Sequence, residues 1–214
     1  MEIIQGVYKI MNITTGKTYI GRSTNIHRRF QDHRRKLIKG THSCQGLQFD
    51  IDMTLMDNTY FDIDDILRFE IIENIPNKDF KFRELEEIYH IPPDQRYNMP
   101  DLKDDILYHL GCWCKEQHID FEIDYTHPDC KNKQPLNWNL MINTGDMVIL
   151  WILRMDTDDA EMTAKYIHMD EIRNNWIGIM PEGWRWILKT YDLTVVGQDI
   201  ANELIAEINA NMNT

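Results

Sequence analysis

The chain has 214 residues, 43% of them hydrophobic, and a net charge of −12; the length suits one large domain or two small ones, and the apolar content supports a packed core, which excludes a wholly disordered chain. The longest apolar runs, such as MVILWIL at 147–153, fall well short of the roughly 18 residues a membrane span needs, and the opening MEIIQGVYK lacks the basic-then-apolar pattern of a secretory signal. The expectation is an intracellular, cytoplasmic protein with no membrane association, its Cys44, Cys112, Cys114 and Cys130 present as reduced thiols.

In chain order, IIQGVYKIM and KTYIGR flank NITTG and predict a β-hairpin. Ser23 or Thr24 can cap the next segment, NIHRRFQDHRRKLIKG, whose Ile26, Phe30 and Leu37 fall on one helical face and whose Gly40 is a stop. A long acidic connection follows (46–66). LRFEIIENI at 67–75 reads as a third strand, and NKDFKFRELEEIYHI at 77–91 as a helix ended by Pro92 and Pro93. QRYNMPDLKDD around Pro100 reads as a boundary. Beyond it, DLKDDILYHLGCWCKEQ, TDDAEMTAKYIHMDEIRNNW, PEGWRWILKTY and GQDIANELIAEINANM all read as helices. MVILWILRM is a buried strand or a helix segment, since periodicity does not decide short apolar runs. The expected fold is α/β. A small antiparallel three-stranded sheet flanked by helices fills a domain over 1–100, and a mostly helical, acidic, Trp-rich domain fills 101–214.

Charge divides the chain the same way. Residues 1–40 hold nine Lys/Arg against Glu2 and Asp32, residues 1–100 net −1, and residues 101–214 net −11, with 9 basic against 20 acidic. A basic cluster at the start of an acidic chain suits phosphates; the plainer alternative is a solvated helix face. TGKT at 15–18 is not a P-loop, because the glycine required five residues before Gly16 is Met11.

Tyr8 and Tyr19 sit on adjacent strands beside Gly6 and Gly21, where a backbone or a ligand can approach closely. Arg29 and His33 are neighbours at i, i+4. Taken alone, His33 reads as a core histidine and Arg29 as the edge of the apolar stripe. On the 77–91 helix, Phe82, Leu85, Ile88 and Tyr89 define the buried face, with Glu84 and Glu86 on its two edges. A carboxylate there borders both core and cleft and suits a hard cation.

In this order the residues resemble the GIY-YIG nucleases. GVY (6–8) and YIG (19–21) are followed by Arg29, by His33 four residues later, and by His42 in KGTHS; then come IIENIP, a helix with ExxY (Glu86 to Tyr89), and YN at 97–98. The resemblance runs nearest to phage-type homing endonucleases over 6–45 and 70–98, with a longer and more acidic connection between. It covers less than half the chain. It implies a DNA endonuclease, of homing or restriction type, that hydrolyses phosphodiester bonds with one Mg²⁺, or Mn²⁺ in its place. Tyr19 lies beside the attacking water in such a site, as general base or phenolate. With an ordinary pKa near ~10 it needs help at neutral pH, and Arg29 favours the anion while holding transition-state charge. Glu86 holds the metal, with Glu84 as its rival. Tyr8, His33 and His42 position phosphate or relay protons, and Asn98 holds the site together or contacts phosphate. Arg22, Arg28, Arg34, Arg35 and Lys36 add sequence-independent, salt-dependent contacts to DNA phosphates.

For 101–214 an oligomer interface, a docking site for a basic protein, and recognition through a local basic patch such as CKNKQ (130–134) stay open. Cys112, Cys114, His127 and Cys130 raise zinc, but CWC is one residue shorter than the usual knuckle, and buried thiols are the preferred reading. The tryptophans read as core anchors. The alternative function is a non-catalytic nuclease-like DNA-binding module whose acidic half binds a protein; a chance match on an unrelated α/β protein ranks last.

Overall fold

The computed structural model describes residues 3–57, 62–75, 79–126, 137–145, 147–155, 159–177, 182–191 and 196–212. The chain divides into two compact units, Met1–Pro100 and Asp101–Thr214.

The first unit is built on β1 (Gly6–Asn12), β2 (Thr18–Ser23) and β3 (Leu67–Asn74), an antiparallel sheet in the order β2-β1-β3. The hairpin turn is set by Asn12, whose side-chain oxygen accepts from the backbone N–H of Thr14 and Thr15 at 2.9 and 3.2 Å, with Gly16 at a φ of 73°. Directly opposed residues of an antiparallel pair share a face. Tyr8 opposes Gly21 and Ile10 opposes Tyr19, so these four point to one side and Val7, Ile20 and Arg22 to the other.

Helix α1 (Ile26–Ile38) covers the tyrosine face with Ile26, Phe30, His33 and Leu37 buried. Its cap is Asn25, which accepts from the Arg28 N–H at 3.0 Å, and not Ser23 or Thr24 as expected; Ser23 instead accepts from the Asn25 N–H. The long connection also departs from expectation. It contains α2 (Gln45–Asp57), which adds Leu47 and Ile51 to the core, and the one-turn α3 (Ile63–Ile66). The apolar spacing over 45–57 is too weak to announce a helix, and tertiary burial of two residues supplies what periodicity does not. Helix α4 (Phe80–His90) packs on the opposite sheet face through Ile88, against Val7 and Ile20.

The second unit has a four-stranded sheet in the order β4 (Asp120–Thr126), β5 (Asn137–Asn143), β6 (Val148–Met155), β7 (Trp184–Tyr191). The first three strands are antiparallel, and β7 runs parallel to β6 after the crossover helix α6 (Ala160–Ile177). Helices α5 (Leu102–Glu116) and α7 (Gly197–Met212) pack on each other. Two expectations are resolved or corrected. MVILWILRM is a strand, and its unbroken apolar run reflects burial on both faces. The predicted helix PEGWRWILKTY is strand β7, because Trp184, Trp186 and Leu188 alternate along the β6 edge. Trp138 and Trp151 are fully buried. No helix among the described residues is long and apolar enough to cross a membrane.

Candidate active site

The site lies along β2, the edge strand of the first sheet. Both hairpin glycines serve the chain itself. A Cβ on Gly6 (φ 144°) would run into the Glu73 carbonyl, and a Cβ on Gly21 into the Tyr8 ring. The Tyr8 ring thus lies across Gly21, which brings its hydroxyl toward α1.

There the Tyr8 hydroxyl lies 2.6 Å from His33 Nε2 and accepts from Arg29 Nε at 3.3 Å. His33 Nδ1 lies 2.6 Å from His42 Nε2. His42 Nδ1 accepts from the Cys44 N–H at 3.1 Å; the Cys44 carbonyl is farther, at 3.4 Å. A proton on His42 Nδ1 would face the Cys44 N–H head on, so the ring carries its hydrogen on Nε2. The order of the chain follows. Cys44 N–H donates to His42, His42 Nε2–H to His33 Nδ1, and His33 Nε2–H to the Tyr8 oxygen. Tyr8 therefore accepts two hydrogen bonds and keeps its own hydroxyl hydrogen as a donor. Gln48 of α2 fixes the start of this chain: its Oε1 accepts from the His42 N–H at 3.0 Å, and its Nε2 donates to the Leu37 carbonyl at 3.0 Å and to Asp52 at 2.8 Å.

Burial keeps both rings neutral, while the backbone hydrogen bond at Cys44 works the other way on His42. Burial, with help from Arg29, His42 and Lys36, pulls His33 down to about 3. Burial also lowers His42. Both rings are neutral at neutral pH and serve as hydrogen-bonding spacers. Tyr8 is pushed up by burial and by Tyr19, against Arg29. Tyr19 is pushed up by burial and by Glu84, against Arg29. This reverses the expectation that Arg29 draws Tyr19 toward a phenolate: burial outweighs the guanidinium and both tyrosines stay protonated. Burial works against the Arg29 charge, but the two tyrosines outweigh it and keep Arg29 firmly cationic.

The glutamates divide. Glu84 accepts an ion pair from Arg22 Nε on β2 at 3.1 Å and acts electrostatically on both tyrosines. Glu86 is engaged by Arg83, 3.5 Å away, in a cluster with Glu73 and Glu87. The geometry brings Glu84, rather than Glu86, to the tyrosines. Glu84 is four residues before the buried Ile88 and shares its helix face. Asn98 pairs with the β2 backbone as a strand would: its Oδ1 accepts from the Ile20 N–H at 2.7 Å and its Nδ2 donates to the Ile20 carbonyl at 2.9 Å. It holds the residue next to Tyr19. Tyr97 anchors the same segment by donating to Asp50 at 2.8 Å.

Of the expected phosphate contacts, Arg34 and Arg35 carry acidic partners, Asp64 and Asp32, each at 2.6 Å, and Arg22 carries Glu84. Arg28 and Lys36 have no ion pair among the described residues. Gln48 and the Cys44 amide escaped the sequence reading, because nothing local marks either as part of a histidine chain. In the second unit Cys114 is buried, which pushes its thiol up to about 12. His127, Cys130 and the CKNKQ patch lie outside the described residues, and among those described no group of three or more His, Cys, Asp or Glu could hold a metal.

Residues 4–89 match the family model of the GIY-YIG catalytic domain. That match lies within the first unit, which is thus similar to the GIY-YIG catalytic domain over less than half of the chain. Two solved structures are similar to this part of the chain. A point mutant of the catalytic domain of intron endonuclease I-TevI is 24% identical, with a TM-score of 0.38, over 46% of this chain and 95% of that one. The catalytic domain of homing endonuclease I-TevI is 25% identical, with a TM-score of 0.37, over 45% of this chain and 99% of that one. No curated protein matches the chain.

Proposed function

We propose that the first unit cuts DNA by metal-dependent hydrolysis of the phosphodiester bond, with Glu84 as the carboxylate that holds one Mg²⁺ ion. The observation that carries this reading is the convergence of Tyr8, Tyr19, Arg29 and Glu84 at one sheet edge. The donor set fits that ion. A single hard carboxylate suits Mg²⁺, which keeps several waters and completes its shell with phosphate oxygens; Mn²⁺ has the same taste for oxygen. When bound, the ion offsets charge on the non-bridging and leaving oxygens.

The chain's own groups do the rest. The Tyr19 oxygen, a neutral phenol, accepts a hydrogen bond from the attacking water and orients it toward phosphorus, and the proton that water loses as the new P–O bond forms passes to solvent. Arg29, held cationic, stabilises the charge that grows on the phosphoryl oxygens as the new P–O bond forms and the old one breaks. Tyr8, fully buried, holds Arg29 and the histidine chain in place from behind the site. His33, His42 and Asn98 are positioning residues. Arg28 and Lys36 offer cations to the flanking backbone. The two units act as separate domains, 1–100 for cleavage and 101–214 for a role of its own.

Supercoiled plasmid incubated with Mg²⁺ tests this. Nicked or linear product should vanish with EDTA and in Glu84→Ala, while Glu86→Ala retains cleavage within a few-fold. Full cleavage in Glu84→Ala with loss in Glu86→Ala would return the metal to Glu86. Intact plasmid throughout, with DNA still bound, would favour the non-catalytic module.

A further inference from the structure

The second unit, net −11 in sequence, gathers cations in one place. A cleft of about 450 Å³ is lined by residues from α5, β5, β6 and α6, a size that suits a small organic ligand. At its base, Arg154 makes a two-pronged bond to Asp170 (Nη1 3.0 Å, Nη2 2.8 Å), and Arg173 Nη1 shares the same carboxylate at 2.9 Å. One carboxylate thus serves two guanidinium groups, which leaves an excess positive charge. Lys103 and Lys165 line the same cleft, and neither has an ion pair among the described residues. Asp101 is the one other acid in the lining. The local balance is positive by two.

Arg173 is the second observation. It is 8% exposed, and its Nε has no hydrogen-bond partner among the described residues. A buried guanidinium with an unfilled donor and half of a shared carboxylate is costly to keep. Burial pulls its charge down and the nearby Arg154 adds to that. An anion in the cleft relieves both. Arg154 also lies over the Tyr166 ring, 4.1 Å from its centre, so the fork is held rigid from two sides. Asn139 accepts from the Leu153 N–H through Oδ1, which turns its amide hydrogens away from that bond and makes them available as donors.

From this arrangement we infer that the second unit holds a phosphate-binding pocket that takes the phosphate group of a nucleotide. Two rigid guanidiniums and two ammonium groups suit a doubly charged phosphate better than a carboxylate. The apolar wall of Ile152, Leu153 and Met169 gives the nucleoside body a surface to lie on. The shared chemistry comes from two sources, a free nucleotide or the end of a DNA strand. The inference does not rest on the nuclease reading.

The test is isothermal titration calorimetry of the full chain in EDTA, on an Arg29→Ala background that weakens phosphate binding at the first unit. The probes are dTMP, thymidine and a 5′-phosphorylated (dT)8. Saturable dTMP binding is expected, with thymidine at least about tenfold weaker, the loss of a charge-assisted contact set. Lys103→Glu with Lys165→Glu, both at or near the surface, should weaken dTMP by at least about tenfold without touching the Arg–Asp base, so a folding failure at Arg173 does not obscure the result. The same loss with (dT)8, bound more tightly than dTMP, assigns the source to a DNA strand; (dT)8 no tighter than dTMP assigns it to a free nucleotide. No binding of either phosphate probe, equal binding of thymidine, or binding unchanged in the double variant would overturn the inference.

Discussion

The histidine chain makes a measurable demand on pH. His33 titrates at an ordinary value near 6.5 in the unfolded chain and at about 3 in the fold. Above 6.5 both states hold it neutral and nothing is lost. As pH falls through 6.5 the unfolded state takes up a proton that the folded state refuses, so stability declines until about pH 3, where the fold also protonates. Between pH 7.5 and 5 the linkage relation makes this about 2 kcal/mol for His33 alone, and the lowered His42 adds in the same direction. Urea unfolding at pH 7.5, 6 and 5, wild type against His33→Gln, isolates the effect from the carboxylates that titrate lower. The variant should lose less stability over that span, by about 2 kcal/mol. All six tryptophans lie beyond residue 112, so the first unit is followed by far-UV circular dichroism and tyrosine absorbance. The ¹⁵N shifts of the imidazoles test the same argument. His33 should carry hydrogen on Nε2 alone at pH 6, and His42 on Nε2 alone at pH 7.5. A His33 imidazolium at pH 6, or an Nδ1–H form of His33, would refute the direction of the chain and the burial argument with it.

Three further outcomes follow from the site. Gly21→Ala drives a methyl into the Tyr8 ring and should destabilise the first unit by about 1–3 kcal/mol in urea while lowering cleavage; an unchanged midpoint would mean the ring moves freely. Tyr19→Phe should keep the fold and lose cleavage, and the wild-type rate should stay level from pH 7 to 9, since the neutral phenol is the working form; a tenfold rise per pH unit would restore the phenolate. Arg28→Ala and Lys36→Ala should each reduce the slope of log affinity against log salt by about 0.9 on duplex DNA, and Arg35→Ala, already paired with Asp32, by less; equal slopes for all three would discount the ion pairs.

Much of the first unit is legible in the chain itself. The hairpin, α1, β3 and α4 announce themselves through turn residues and apolar spacing, because a hairpin and an amphipathic helix are local structures whose patterns need no partner. The order Tyr8, Tyr19, Arg29, His33, His42 carries the resemblance to the GIY-YIG catalytic domain that residues 4–89 match. The sequence also places His33 on the apolar stripe of α1, and the site uses that burial to hold it neutral.

Other features exist only in three dimensions. Glu84 and Glu86 are two residues apart, and the resemblance favours Glu86 with Glu84 as its rival; the packing of Ile88 on the sheet turns Glu84 toward Arg22 and the tyrosines and Glu86 toward Arg83. Whether Tyr19 is a phenol or a phenolate depends on burial against one guanidinium, a balance of surroundings that no spacing encodes. Strand β7 reads as a helix until β6 gives it an edge to pair with. The cationic cleft draws Lys103, Arg154, Lys165 and Arg173 from three separate elements of an acidic half. Periodicity records which face of an element is apolar, whereas the choice between neighbouring side chains, and the charge each carries, is made by the elements packed against it.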